Sequence, residues 1–223
     1  MKNWHLCLAI AFAIVIGGGK TTSARSSIDE AQMVRQVFEG YKQAVLSDNG
    51  EAAASFLSQE TIDYYGDMQQ LAVCASSQEV RNQSMVNRMQ VLLLRWRVPP
   101  ELLPQMSELE LVAYAVNQGW IGKSSVVTMN ISDVTVSDSV AVAQVLKNDQ
   151  PSRIKFRFLK QSGAWKFDLM PLLQVFNVAF KELATQSGIE ENEFIFGLLE
   201  SLEGRQPTEQ IWQPVFPSAT MCE

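Results

Sequence analysis

Arg153-Ile154-Lys155-Phe156-Arg157-Phe158-Leu159-Lys160, the link Gln161-Ser162-Gly163, and Ala164-Trp165-Lys166-Phe167-Asp168-Leu169 decide how this chain folds. Successive side chains of an extended strand point to opposite faces, so Ile154, Phe156 and Phe158 share one face while Arg153, Lys155 and Arg157 share the other. The glycine-containing link reads as a short hairpin loop, after which Trp165, Phe167 and Leu169 alternate with Lys166 and Asp168 in a second strand. Two strands with a single apolar face need further strands beside them and helices over them.

Both are legible outward from this hairpin. Val140 to Lys147 reads as a strand apolar on both faces and therefore central, and Val127, Met129 and Ile131 alternate with polar neighbours in another. The period of two starts at Lys123; before it the period is that of a helix. Ser27 and Glu30 fit a capping box opening a helix whose stripe is Val34, Val37, Phe38, Tyr41 and Val45, and Asp48-Asn49-Gly50 closes it with a residue type that tolerates positive φ. A short helix is expected from Glu51 to Leu57. Ser58 caps a third that presents Ile62, Tyr65 and Met68 or Gln69. Residues 78–98 read as one longer helix with Val86, Met89, Leu93 and Trp96 on its stripe, ended by Pro99-Pro100; residues 101–118 read as another, closed by Gly119. After Pro171 two more are expected at 172–186 and 190–203. The tail from Arg205 carries Pro207, Trp212, Pro214, Phe216 and Pro217. Such a tail is either a strap laid on the body or a polyproline-type ligand for a partner's groove. The expected architecture is α+β: a single domain over 25–204, helical at 27–122, sheet at 123–170, helical again at 171–204, with a proline-containing tail at 205–223.

The first 24 residues carry an export pattern. Lys2 and His5 precede an unbroken apolar run of 11 residues, Leu6–Ile16, and Thr22 and Ala24 are small enough for the positions before a signal-peptidase cut. A membrane-spanning helix needs about 20 apolar residues, so 1–24 reads as a cleaved leader, with an uncleaved anchor as the rival, and the address as periplasmic or secreted. Gly19-Lys20-Thr21 imitates a phosphate-binding loop, but its first glycine would have to be Ile14 and no helical pattern follows. Removal of 24 from 223 residues leaves 199; Lys2 and Lys20 leave with the leader, so 16 basic residues face 24 acidic ones. A net charge of −8 disfavours nucleic acid and anionic membrane surfaces as partners, and after cleavage no stable membrane span is expected.

The sole histidine, His5, leaves with the leader. With it go Ser-His-Asp and Cys-His nucleophiles and the usual zinc sites, so neither a metal nor a cofactor is expected. Cys74 and Cys222 then remain. Their disulfide would close a loop of about 150 residues and contribute roughly 4–5 kcal/mol in the chain-entropy model. Equally, Cys222 is penultimate, where a mobile tail is the default, and the sequence leaves both outcomes open. Charge is also segregated: six cations (147, 153, 155, 157, 160, 166) face one acid between Lys147 and Lys166, and seven acids face one cation between Glu182 and Glu209. The C-terminal helices could fold back near the basic stripe, the stripe could meet an acidic partner, or both faces could simply lie in water.

The leading helix, the segment Ser47-Asp48-Asn49-Gly50-Glu51-Ala52-Ala53-Ala54-Ser55-Phe56-Leu57 and the closing Gly163-Ala164-Trp165-Lys166-Phe167-Asp168-Leu169 together resemble the NTF2-like (SnoaL-like) superfamily, over about 28–66 and 123–169. The resemblance implies a curved antiparallel sheet wrapped on helices as a cone around an apolar cavity. Residues 67–122 depart from it by inserting helices, and the C-terminal helices add to it. Enzymatic members, isomerases and cyclases, set an Asp, Tyr or His inside the cone; here Tyr41 is the candidate oxyanion-type donor and Asp63 or Asp67 the candidate base, and no motif carries a catalytic assignment over. Candidate cavity residues are Tyr41, Tyr64, Tyr65, Trp96, Trp120 and Phe156. The expected role is non-enzymatic binding of a small apolar ligand or of a protein partner, a second copy of the chain included. An isomerase-type enzyme and an envelope assembly protein are the alternatives.

Overall fold

The computed structural model describes residues 21–120 and 123–216, with all side chains inside those spans except those of 21–28, 124, 125 and 203. Most of the expected leader, 1–20, lies outside the described residues. The protein is α+β: helices surround a curved four-stranded antiparallel sheet in the order β1-β2-β3-β4. The strands are β1 (Met129–Ser137), β2 (Val140–Lys147), β3 (Gln150–Gln161) and β4 (Ala164–Asp168). β2 is flanked on both sides, as its two-sided apolar character predicts. Two of the links are two-residue turns with positive φ throughout: Asn148 and Asp149 (51° and 60°), then Ser162 and Gly163 (49° and 82°). This twist matches that of the strands it joins. Lys123 to Val127, expected to start the sheet, is instead a short helix, so the period of two begins at Met129.

One face of the sheet is apolar, with Ala141, Ala143, Val145, Phe156, Phe158, Trp165 and Phe167 all buried. α1 (Thr21–Leu46) lies on it through the stripe read from the sequence, burying Val34, Phe38, Tyr41 and Val45. The expected capping box at Ser27 and Glu30 is not what Glu30 does, since the helix already runs from Thr21. The Glu30 carboxylate instead accepts from Lys160 Nζ (2.6 Å) and Trp165 Nε1 (2.5 Å), tying α1 to β3 and β4. These two donors, Lys160 first, hold the Glu30 carboxyl below its ordinary 4.5. A carboxyl with a depressed folded-state pKa stabilises the fold fully above its unfolded pKa, and that contribution disappears as pH falls through the folded value. Thermal unfolding followed across pH should show Glu30→Gln less stable than the wild type at neutral pH. The gap should narrow below pH 4.5; a gap independent of pH would remove this linkage.

α2 (Gly50–Ser55) begins after Asn49, whose side chain accepts from Ala52 N. The positive φ expected at the stop falls on Asp48 (53°) rather than on Gly50. Gly50 is needed for another reason: a Cβ there would lie 2.1 Å from the carbonyl oxygen of Ala113, where α2 crosses α6 (Glu108–Asn117). Gly50 N also donates to Asn117 Oδ1 at 2.8 Å. α3 (Gln59–Cys74) is capped by Ser58, as expected. Its start is fastened to the sheet by a parallel bridge between Leu57 and Phe167, with Phe167 N donating to Phe56 O (2.7 Å) and Ser58 N to Phe167 O (2.8 Å).

The two long helices expected next are each divided. Residues 77–97 form α4 (Ser77–Arg81) and α5 (Met85–Arg97), because the Ser84 side chain accepts from Asn87 N and restarts the helix. Residues 103–117 form a 3-10 turn (Leu103–Gln105) and α6, restarted by a capping box between Ser107 and Glu110. The short helix at Lys123–Val127 is α7. α8 (Met170–Ser187) and α9 (Glu191–Glu203) end at Gly188 and Gly204, both left-handed. The apolar interior divides in two. One cluster joins the sheet to α1, α2 and part of α6; the other joins α3, α4, α5, α8, α9 and the segment around Trp212, and Tyr65 packs against both.

The basic stripe and the acidic helices do not meet by ion pairing among the described residues. Lys160 pairs with Glu30, Arg157 with the buried Asp168, and Glu191 with Arg88 and Lys181. No described helix is long and apolar enough to cross a membrane.

Candidate functional site

Where the two clusters abut, they leave a cavity of about 160 Å³. Tyr41 comes from α1, Leu57 from the α2–α3 junction, Tyr65 from α3, and Gln90, Leu93 and Leu94 from α5. Leu111, Val112, Ala115 and Val116 of α6, Trp120 beyond it, and Leu169 after β4 complete the wall. Helical geometry accounts for each contribution: Gln90 and Leu94 are four residues apart, as are Leu111 and Ala115, so each pair faces the same side. The wall is apolar apart from the two phenol hydroxyls, the Gln90 amide and the Trp120 indole. Among the described residues, none lining it is an Asp, Glu, Lys, Arg, His or Cys.

Three of the six candidate residues therefore come together: Tyr41, Tyr65 and Trp120. Tyr64, one position from Tyr65, points elsewhere and donates its hydroxyl to Asn87 Oδ1 at 3.1 Å. Trp96 packs on the second cluster with the Arg205 guanidinium over its ring at 4.5 Å. Phe156 sits in the sheet-side core, 5.5 Å from the Phe38 ring centre and 4.9 Å from that of Phe167. The inner face of the sheet is thus filled by aromatic rings, and the cavity lies beside them, walled mainly by helices. Gln90, Leu111 and Ala115 were not singled out in the sequence, and Leu93 was read only as helix stripe, because each looks like ordinary helix surface or stripe. The glutamine at the head of the apolar run Val91-Leu92-Leu93-Leu94 was the signal available.

Asp63 and Asp67 are exposed, and Asp63 Oδ1 accepts from Gln59 Nε2 at 2.7 Å, so neither reaches the cavity. The buried aspartate is Asp168, with 2 % of its surface exposed. It is tied to Arg157, to Thr61 Oγ1 (3.5 Å) and to Met170 N (3.0 Å), and is not part of the wall. Burial raises the pKa of the Tyr41 phenol well above its ordinary 10, with the neighbouring Tyr65 adding to the effect, and pushes Tyr65 up to about 12. Both are therefore neutral hydrogen-bond donors throughout the physiological range. Among the described residues no group of three His, Cys, Asp or Glu could hold a metal ion. Cys74 is disulfide-bonded; Cys222, the partner considered from the sequence, lies outside the described residues.

Fold and site together define an α+β protein whose antiparallel meander is roofed by helices, with a small, uncharged cavity between those helices. Compared with protein-family models, curated proteins and solved structures, the chain finds no match.

Proposed function

We propose that this is an exported binding protein that holds one small apolar molecule in the cavity between α1, α3, α5 and α6, without transforming it. The observation that carries the reading is a space of about 160 Å³ walled by apolar side chains together with Tyr41, Tyr65, Gln90 and Trp120, with no carboxylate, imidazole, thiol or ammonium on its described wall. For scale, an apolar cavity of about 150 Å³ accepts benzene. Proton transfer at carbon needs a base within reach. The base required by an isomerase of the NTF2-like kind is not supplied by Asp63 or Asp67, which are exposed, or by Asp168, which is held by its own partners. The leading helix on a curved meander supports an NTF2-like origin for the sheet half of the molecule. The apolar run Leu6–Ile16 supports export.

Native mass spectrometry of the folded chain with toluene tests the binding reading. The wild type should retain one molecule per chain, and Ala115→Trp, which fills the space from α6, should retain none. Equal retention by both chains, or by neither, removes the reading. A second reading, an assembly or interaction protein, is favoured by α8, which exposes Val175, Val178 and Leu183 at 48 %, 64 % and 48 %. If self-association or partner capture is unchanged by Val178→Asp, that reading falls.

A further inference from the structure

The cavity's two phenol groups are unusual in what they lack. Neither the Tyr41 nor the Tyr65 hydroxyl has a hydrogen-bond partner among the described residues, although Tyr64 beside them is satisfied by Asn87. Nor is either hydroxyl sealed in the way that the partnerless Trp96 Nε1 is, and both tyrosines line the cavity. The two tyrosines are near enough to influence each other electrostatically, and the Gln90 amide on the same wall has no hydrogen-bond partner among the described residues. A donor that leaves water without gaining an acceptor is costly, and here Tyr41, Tyr65 and Gln90 line one small space whose remaining wall is hydrocarbon and indole.

Resting on the binding reading above, we infer that the ligand is an uncharged molecule the size of a single six-membered ring or a short branched chain, bearing one carbonyl-type acceptor that takes hydrogen bonds from both Tyr41 and Tyr65. A carboxylate or an ammonium would be buried there with no counter-ion on the described wall, which strongly disfavours charged ligands. A plain hydrocarbon of the same shape would fill the space but would leave both hydroxyls unpaired. The high phenol pKa values keep both groups as donors rather than phenolates.

Matched probes separate this inference from the reading it rests on. Acetophenone, ethylbenzene and benzoate are titrated into the folded full chain and followed by calorimetry. Acetophenone should bind about tenfold more tightly than ethylbenzene, as two net hydrogen bonds imply, and benzoate should give no detectable heat. Tyr41→Phe and Tyr65→Phe should each weaken acetophenone about fivefold while leaving ethylbenzene unchanged. The ethylbenzene titration thereby reports whether each variant keeps its cavity. Equal affinity for acetophenone and ethylbenzene, or acetophenone binding indifferent to both substitutions, overturns the acceptor assignment and leaves the cavity's binding role standing. Benzoate as the tightest ligand overturns the uncharged class. No binding of any probe overturns the inference and the binding reading together.

Discussion

Arg95→Ala should unlatch the C-terminal strap and cost roughly 2–4 kcal/mol, the scale expected when a half-buried cation that donates to several carbonyls is deleted. For a domain of this size that corresponds to a drop in Tm on the order of 10 °C. The Arg95 guanidinium reaches five main-chain carbonyls. Its Nε donates to Ala72 O (2.9 Å), Nη2 to Leu71 O (3.0 Å) and Ala75 O (2.6 Å), and Nη1 to Trp212 O (2.6 Å) and Ile211 O (3.4 Å). Three of these oxygens belong to the C-terminal end of α3, where the helix dipole is negative and carbonyls run out of intrahelical donors, although Leu71 O also accepts from Ala75 N at 3.0 Å. The other two belong to the strap. One planar cation thus satisfies a helix end and fastens residues 207–216 to it, while burial lowers its pKa to about 10, leaving it charged at neutral pH. Trp212, 1 % exposed, stacks with Phe196 and has the Arg81 guanidinium over its ring at 3.9 Å. Arg95→Lys should not rescue, because a compact ammonium cannot reproduce a fork of donors. Hydrogen exchange around Trp212 decides the matter: protection unchanged in Arg95→Ala would show the strap held by its apolar contacts alone.

Phe167→Ala should be comparably severe, about 3–5 kcal/mol, and should loosen the cavity as well as the core. The Phe167 ring meets four others: Phe38 (6.1 Å between centres), Tyr41 (5.2 Å), Phe156 (4.9 Å) and Phe158 (5.1 Å). Its main chain also makes the bridge that joins the α2–α3 junction to β4. Tyr41 leans edge-on against this ring while lining the cavity, so removing the ring frees the tyrosine that presents one of the two hydroxyls. Urea unfolding should give a lower midpoint, and hydrophobic probe binding should weaken in the folded variant. A variant with wild-type midpoint and wild-type binding would show that the four-ring contact contributes little.

The two substitutions mark different depths of legibility. Phe167 was readable: Trp165-Lys166-Phe167-Asp168 alternates so strictly that its inward face could be assigned from the period alone. The role of Arg95 was not. In the chain it stands in Arg95-Trp96-Arg97, where nothing within a few positions marks it for an inward role, yet it is turned inward by carbonyls 20 to 117 positions away. The divided helices fall between these cases. Ser107 and Glu110 form a capping box with ordinary spacing, and the apolar run across it concealed a local signal that was present.

By itself the sequence determined what local physics can specify. Alternation of side chains placed β3 and β4 and their buried faces, an apolar run placed β2, helical spacing placed α1 and its stripe, and Ser58 and the proline pair at 99–100 marked ends, because each of these depends on residues a few positions apart. The tertiary structure alone decided the rest. The cavity draws its wall from positions 41 to 169, and whether a tyrosine hydroxyl there finds a partner depends on how five separate pieces of chain stop short of one another. Close packing is a property of the assembled helices and sheet, and no periodicity in the chain encodes the gap they leave.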